Sequence, residues 1–199
     1  MVPVKLSDDF YDKIKPRLYR RVGRELHSAN HVLDIGCGNC ELAGYLSQTY
    51  GQKVTGIDIS SDGFPDKRKI IKDWPLVRCV RRSATRLGFI QDETIDAVVM
   101  FWSLHEMNDP LAVLQQAYHV LKPGGKILVV EFPQHSLDQK LWNEKYFNRQ
   151  QLMQYLDDAG FGRIRARLIE NKQILWTSGD ICSKNTNKSE RMKVKAYET

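Results

Sequence analysis

The chain has 199 residues, of which 42% are hydrophobic and 27% are charged, and it contains four cysteines. This composition supports one full hydrophobic core and excludes a disordered chain or a small secreted module held by many disulfides. No apolar run is long enough to span a bilayer, and residues 1–9 lack the basic-then-apolar order of a secretory signal. We therefore predict a cytoplasmic protein with no membrane partner.

The net charge of +6 raises the question of a nucleic-acid partner. Residues 183–199 hold five basic and two acidic residues, so this segment carries +3 and the rest of the chain the other +3. The basic clusters at residues 67–72, 78–86 and 163–167 are not interleaved with aromatic side chains, as a base-stacking surface would be. A solvated basic face explains the charge better than a nucleic-acid site, and residues 183–199 are predicted to form a basic polar tail.

The predicted elements alternate between helix and strand in the first half of the chain. Residues 10–26 form an amphipathic helix, because apolar residues from Phe10 to Val22 recur at i, i+4 spacing. A first strand over 31–35 leads to a helix over 41–49 and a second strand over 53–59. A helix over 63–72, capped by residues 60–62, and a short strand over 76–82 follow.

The second half begins with an apolar strand over 94–102, typical of a parallel strand buried on both faces. Asp109 and Pro110 begin a helix that ends at Lys122-Pro123-Gly124-Gly125, and a fifth strand covers 126–132. A helix over 148–159 precedes two strands over 161–170 and 172–182, which are joined by so short a turn that they pair antiparallel. This order predicts a doubly wound α/β sheet with a hairpin at its end.

The junction after the first strand carries the strongest chemical signal. Asp34-Ile35-Gly36-Cys37-Gly38 ends an apolar strand and leads into a helix, so the glycines allow a tight turn and the helix offers unpaired N–H groups to a ligand. Asp58 ends the second strand 24 positions after Asp34, a spacing suited to a carboxylate that binds ribose hydroxyls. These residues predict a nucleotide-cofactor loop.

Residues 10–182 resemble the class I S-adenosylmethionine-dependent methyltransferases, specifically the type 11 or ubiquinone-biosynthesis-like small-molecule group. The matching motifs lie at residues 32–38, 56–60, 95–99, 103–107, 120–128 and 159–161. The resemblance implies a Rossmann-like doubly wound seven-stranded sheet, mostly parallel with an antiparallel last strand, with helices on both faces. It also implies one methyltransferase domain over residues 1–182, in which residues 1–28 form an N-terminal helix or lid.

The same resemblance implies S-adenosyl-L-methionine as the cofactor, lying across the carboxyl ends of the first two strands. Gly36 and Gly38 would pass under its methionine portion, Asp34 would reach the amino group, Asp58 would hold the ribose and Ile59 would flank the adenine. The other expected cofactor contacts are Cys37, Ser83, Ala84 and Phe101. Two positions depart from the family pattern, because Cys40 replaces a common third glycine and Ser83 replaces a common aspartate.

Cys37 and Cys40 form a Cys-x-x-Cys at a helix N-terminus, where the helix dipole would stabilise a thiolate. A redox role and a role as small side chains packed beside the loop both remain open. We expect no metal site, since no second cysteine or histidine pair lies at zinc-ligand spacing.

Methyl transfer from a sulfonium is a direct displacement, which requires alignment and exclusion of water more than covalent help from the protein. His105 and Glu106 are the catalytic candidates, because they follow the fourth strand, although His105 could equally be a loop residue bonded for shape. The substrate-pocket candidates are Tyr11, Trp102, His135, Trp142 and Tyr146. The short connection over 133–147 favours a small or flat acceptor. An RNA or protein methyltransferase, and a noncatalytic methyltransferase-like binding protein, are the alternatives.

Overall fold

A seven-stranded β-sheet organises the chain in the computed structural model, which describes residues 9–142 and 144–181. The strands are β1 (His31–Ile35), β2 (Lys53–Asp58), β3 (Val77–Arg81), β4 (Ile95–Phe101), β5 (Leu121–Glu131), β6 (Gly162–Ile169) and β7 (Ile174–Asp180). The helices are α1 (Phe10–Glu25), α2 (Glu41–Tyr50), α3 (Lys67–Asp73), α4 (Pro110–Val120), α5 (Leu137–Trp142) and α6 (Arg149–Asp158), with a 3₁₀ helix over Leu104–Glu106.

The strands lie in the order β3-β2-β1-β4-β5-β7-β6. Strands β1 to β5 are mutually parallel, whereas β7 is antiparallel to both of its neighbours, β5 and β6. The predicted mostly parallel sheet with an antiparallel last strand is confirmed. The chain order reverses between β1 and β4, and open α/β sheets bind ligands beside such a reversal, at the carboxyl ends of the strands.

Two buried clusters cover the two faces of the sheet. On one face, Ile14 and Leu18 of α1 and Leu46 of α2 pack with Val32 and Trp176 of the sheet. The other cluster combines apolar side chains of α4 and α6 with those of the central strands: Val113, Leu114, Leu152, Leu156, Ile57, Val98 and Ile127. The predicted helices on both faces are therefore confirmed, and α1 is part of the core rather than an appendage.

Two helices differ from the sequence prediction. Helix α3 begins at Lys67, not near residue 63, and its cap is Asp66, whose carboxylate accepts from Arg68 N at 2.6 Å. The reason is Pro65, because a residue that precedes proline, here Phe64, disfavours the helical conformation. Helix α5 was not predicted, since its six residues are too few to show a helical period.

The predicted tail at residues 183–199 lies outside the described residues. Within the part of the chain that the structure covers, no helix has the length and apolar character needed to cross a membrane.

Candidate functional site

The glycine loop after β1 has the tight geometry that its sequence predicts. Gly36 (φ +73°) and Gly38 (φ +47°) both adopt left-handed backbone conformations, which glycine reaches without strain. A Cβ at Gly36 would lie 2.4 Å from Ser103 Cβ, whereas a Cβ at Gly38 would have no atom within 4 Å. Gly36 therefore permits close packing against the loop after β4, and Gly38 borders open space.

Asp58, at the end of β2, holds this loop from the neighbouring strand. Its Oδ2 accepts a hydrogen bond from Gly38 N at 2.9 Å, and its Oδ1 accepts from Ser60 N at 3.0 Å. The side chain of the next residue, Ile59, is 75% exposed. The carboxylate predicted to hold the ribose thus lies against the glycine loop, with an exposed apolar side chain beside it.

Asp34, at the floor of the site, is a buried carboxyl group with spare bonding capacity. Only 2% of the residue is exposed, and its Oδ2 has no hydrogen-bond partner among the described residues. Burial, and then the nearby charge of Asp58, raise the pKa of Asp34 to about 7. A buried acceptor without a partner is costly, so this position suits a ligand that brings a cation or a donor.

Helix α1 brings an aromatic side chain to the same floor. The pKa of Tyr19 is raised by burial and then by the charges of Glu41 and Asp34. Its ring lies 5.2 Å from that of Phe101, the predicted cofactor contact at the end of β4. The family resemblance implied a helix or lid over residues 1–28, but no local pattern singled out Tyr19, whose only signal was its position on that helix.

Ser83 and Ala84 follow β3 on the other side of Asp58. Arg82 N donates to Asp58 O at 2.8 Å, which ties this loop to the end of β2. The hydroxyl of Ser83 lies 2.9 Å from Thr85 Oγ1, and Ala84 packs against the core. Ser83 and Ala84 directly follow the residue bonded to Asp58, and their role in binding an adenine stays a prediction.

Three cysteines lie together near the glycine loop. Cys40 and Cys79 are joined by a disulfide, which the sequence did not indicate. Cys37 is free and buried, and its pKa is raised by burial and then by the charges of Asp34 and Asp58, which favours the packing role over the redox role that the sequence left open. Cys40, at the position of the third glycine of the family pattern, is the N-cap of α2 and has a left-handed φ of +57°. Among the described residues, no group of side chains could hold a metal ion.

Glu131, at the end of β5, is a central acidic residue that was not among the candidates predicted from the sequence. It has no exposed surface, and its Oε1 accepts from Leu104 N at 2.6 Å and from His105 N at 3.3 Å. Its Oε2 lies 2.7 Å from His105 Nδ1 and accepts from Phe132 N at 3.3 Å. The available signal was an acidic residue ending an otherwise apolar strand.

The other nitrogen of His105 faces two further carboxylates. Its Nε2 lies 3.3 Å from Glu144 Oε2 and 3.9 Å from Glu106 Oε1, and both glutamates are at least half exposed. Burial alone would lower the pKa of His105, but the hydrogen bond and charge of Glu131, with the charges of Glu106 and Glu144, raise it. The structure therefore brings the two catalytic candidates together and adds Glu131 and Glu144.

An aromatic wall, formed by Tyr11, Phe101, Trp102, Phe132 and Tyr146, adjoins His105. The rings of Trp102 and Phe132 stack at 4.8 Å, and the His105 and Tyr146 rings are 4.7 Å apart. Tyr11 OH accepts from Asp138 N at 3.0 Å, and Tyr146 OH donates to the carboxylate of Asp138. Three predicted pocket residues, Tyr11, Trp102 and Tyr146, thus lie in one wall.

The other two pocket candidates lie apart from this wall. Trp142, on α5, is 69% exposed. His135 is also exposed and has a left-handed backbone, and its N–H donates to Gln139 Oε1. Within residues 9–142 and 144–181, no ring contact joins either side chain to the wall.

The chain is similar in sequence to known methyltransferases. Residues 33–129 match the type 11 family model described as a methyltransferase domain. The 2-phytyl-1,4-beta-naphthoquinone methyltransferase of Arabidopsis thaliana is 34% identical over 110 residues, which cover 52% of this chain and 42% of that protein. The ubiquinone/menaquinone biosynthesis C-methyltransferase UbiE of Pseudoalteromonas translucida is 31% identical over 143 residues, covering 66% and 56%. The chain spans about half the length of the curated relatives it matches.

Solved structures share the fold at lower identity. A SAM-dependent methyltransferase from Aquifex aeolicus has a TM-score of 0.67 at 23% identity, over 85% of this chain and 97% of that chain. The 1,6-didemethyltoxoflavin-N1-methyltransferase of Burkholderia thailandensis, solved with S-adenosylhomocysteine, has a TM-score of 0.67 at 18% identity, over 88% and 84%.

Proposed function

We propose that this chain, whose residues 33–129 match the type 11 family model of methyltransferase domains, transfers a methyl group from S-adenosylmethionine to a small-molecule acceptor. The observation that carries the proposal is the set of binding groups around the glycine loop. Asp58 would hold the ribose, the Gly36-Cys37-Gly38 turn would pass under the methionine portion, and the unpaired Oδ2 of Asp34 would meet the amino group. When bound, the cofactor supplies an electrophilic methyl group on a sulfonium.

Two features near His105 support a role for the chain in orienting the acceptor. Within the aromatic wall, Phe101 and Trp102 are partly exposed and offer flat apolar surface, whereas the other three rings are buried. An open groove of 440 Å³ borders Glu144, Tyr146, Phe147, Gln151 and Tyr155. That volume is within the range of small-molecule sites. A flat, ring-containing acceptor would stack on the wall and exclude water, which suits the quinone-type substrates named for the relatives.

His105 is the group proposed to move a proton. An acceptor hydroxyl at Nε2 would give its proton to the imidazole as the new bond to carbon forms, so that no negative charge is left in a dry site. The exposed carboxylates of Glu106 and Glu144 would offset the positive charge of the protonated imidazole. A cytoplasmic location, and a domain over residues 1–182 that excludes the tail, stay predictions of the sequence.

The test combines cofactor binding with turnover. Titration calorimetry should detect binding of S-adenosylhomocysteine, and a methyl-transfer assay with hydroxylated naphthalenes and quinols should give a methylated product. His105→Ala should keep cofactor affinity but slow turnover by about a hundredfold or more, the usual contribution of a general base. The matched control is His119→Ala, an exposed histidine on α4.

Two results would contradict the proposal. An absence of binding heat at ~1 mM cofactor would remove the enzyme assignment, because useful KM values rarely exceed that range. Full turnover in His105→Ala would remove the histidine from the reaction and leave it as a residue that shapes the loop.

A further inference from the structure

More hydrogen-bond donors converge on Glu131 than would be needed if this residue only shaped the loop. Three backbone N–H groups and His105 Nδ1 converge on its two oxygens, at distances from 2.6 to 3.3 Å. Burial of a carboxylate costs several kcal/mol per ion unless it is paired and hydrogen-bonded. A neutral side-chain oxygen could accept from the three backbone N–H groups at a smaller desolvation cost. The negative charge of Glu131 is therefore best explained by its fourth partner, the imidazole of His105.

The bond to Nδ1 fixes the protonation pattern of the imidazole. An ionised carboxylate can only accept hydrogen bonds, so Nδ1 must be the donor. In the neutral ring the lone pair is then on Nε2, which lies on the side of Glu144 and the open groove. The His105 side chain is only 4% exposed and that of Glu144 is 50% exposed, so an acceptor hydroxyl would reach Nε2 by displacing the Glu144 side chain.

We propose that Glu131 is a positioning residue that holds His105 with its Nε2 directed to the acceptor. The inference rests on the proposed function, since it concerns the residue proposed there as the base. During transfer the acceptor proton would pass to Nε2, Nδ1–H would stay bonded to Glu131, and the carboxylate would remain ionised beside the imidazolium. Glu131 itself touches neither cofactor nor acceptor.

Several titratable groups face His105 from the surrounding elements. They are Glu131 from β5, Glu106 from the 3₁₀ helix, Asp138 from α5, and Glu144 and Tyr146 from the segment that follows α5. Among the carboxylates, Glu131 alone is fully buried, lies at hydrogen-bond distance from Nδ1 and contributes most to the raised pKa of His105. Its removal should therefore lower that pKa more than removal of Glu144 or Glu106.

Nuclear magnetic resonance of the imidazole nitrogens tests the pairing without turnover. In the wild-type chain, His105 should titrate above 6.5, and its neutral form should carry the proton on Nδ1. Glu131→Gln should lower the midpoint by about one pH unit or more, and should move the neutral-state proton to Nε2, because the amide can donate to Nδ1. Glu131→Asp, which retains the charge, should restore part of the shift.

The matched control is Glu25→Gln, which removes the same charge from a mostly buried glutamate that accepts from Trp176 Nε1 at 2.8 Å. It should leave the midpoint and tautomer of His105 unchanged. If Glu131→Gln does not fold, the wild-type spectrum still decides, since a neutral ring protonated at Nε2 would overturn the inference. An unchanged midpoint and tautomer in folded Glu131→Gln would also overturn it.

Turnover separates this inference from the proposed function. Glu131→Gln should lower kcat at least tenfold, with little change in cofactor affinity, and should move the acid limb of the pH profile to lower pH. If no acceptor is methylated but the resonances behave as expected, the proposed function fails and the pairing stands. If turnover is normal in Glu131→Gln, Glu131 serves only to cap the 3₁₀ helix.

Discussion

The carboxylate of Asp58 has two partners in the folded chain, Gly38 N and Ser60 N, and is expected to hold the ribose as well. Asp58→Ala removes the charged acceptor from the ribose hydroxyls, so we expect cofactor binding to weaken by ~1.5 to 3 kcal/mol, the range for hydrogen bonds to charged groups. This corresponds to about tenfold or more in Kd. Titration calorimetry with S-adenosylhomocysteine measures it.

Asp62→Ala is the control for this substitution, because Asp62 is an exposed carboxylate four positions along the same loop. Circular dichroism should show that both variants are folded. An unchanged Kd in Asp58→Ala would remove this residue from the cofactor site.

The raised pKa of Asp34 leads us to expect that cofactor binding depends on pH. Its pKa of about 7 in the folded chain means that most molecules carry a proton there at pH 6. The ammonium of a bound S-adenosylhomocysteine favours the ionised carboxylate, so binding should release that proton. Affinity should rise as the pH increases from about 5.5 to 7, by up to about tenfold per pH unit, and should then level off.

Calorimetry in buffers of different ionisation enthalpy measures the released proton directly. Asp34→Asn should bind more weakly and with a flatter pH dependence, whereas equal wild-type affinities across this range would contradict a contact with the amino group. The stability of the free protein depends on pH in the opposite direction. The unfolded group ionises near 3.8 and the folded one near 7, so this residue contributes stability that is lost as the pH rises between these values.

At the scale of single elements, helix α1 can be tested as part of the core. Leu18 is 1% exposed and packs in the same cluster as Trp176 of β7, and α1 also forms ion pairs from Lys15 to Glu41 and from Arg17 to Glu170. Leu18→Ala should lower the free energy of unfolding by about 2 to 5 kcal/mol, as other buried leucine truncations do. Urea denaturation measures the change.

The control for α1 is Lys13→Ala, an exposed position whose ion pair with Asp9 is worth under about 1 kcal/mol. A loss as small as this in Leu18→Ala would show that α1 behaves as a mobile lid. A large loss would show that α1 unfolds together with the rest of the core.

The elements that sequence patterns predicted well are those with local signals. Strand β4 was recognised by its continuous apolar run, and α4 by Asp109, which accepts from Ala112 N, and by Pro110 at the first turn. Helix α6 was placed to within a residue at either end, and its N-terminus carries a capping box formed by Asn148 and Gln151. The limits of α3 and the existence of α5 depend on Pro65 and on tertiary packing, which periodicity does not register.

For the whole molecule, the residues alone predicted a doubly wound sheet with a hairpin, and the family resemblance supplied the full seven strands. The functional site was likewise predictable only in part. The glycine loop and Asp58 were predictable, since local spacing specifies them. The pairing of His105 with Glu131 joins residues 26 positions apart, and the disulfide joins residues 39 apart, so both depend on the tertiary fold and not on any local pattern.

One sheet runs from β3 to β6. Trp74, which precedes β3 and packs against Gly44 of α2, lies near one edge of it, and Trp176 lies in β7 near the other, so the described residues should unfold as one cooperative unit. We expect the denaturation midpoints from tryptophan fluorescence and far-UV circular dichroism to coincide. S-adenosylhomocysteine at about 100 times its Kd should add ~2.7 kcal/mol to the free energy of unfolding, because it binds only the folded chain. At that same concentration, a tenfold weaker Asp58→Ala variant should gain only ~1.4 kcal/mol. Two separate unfolding transitions, of which the ligand shifts only one, would contradict this expectation. They would show that the cofactor-binding half and the C-terminal hairpin unfold independently.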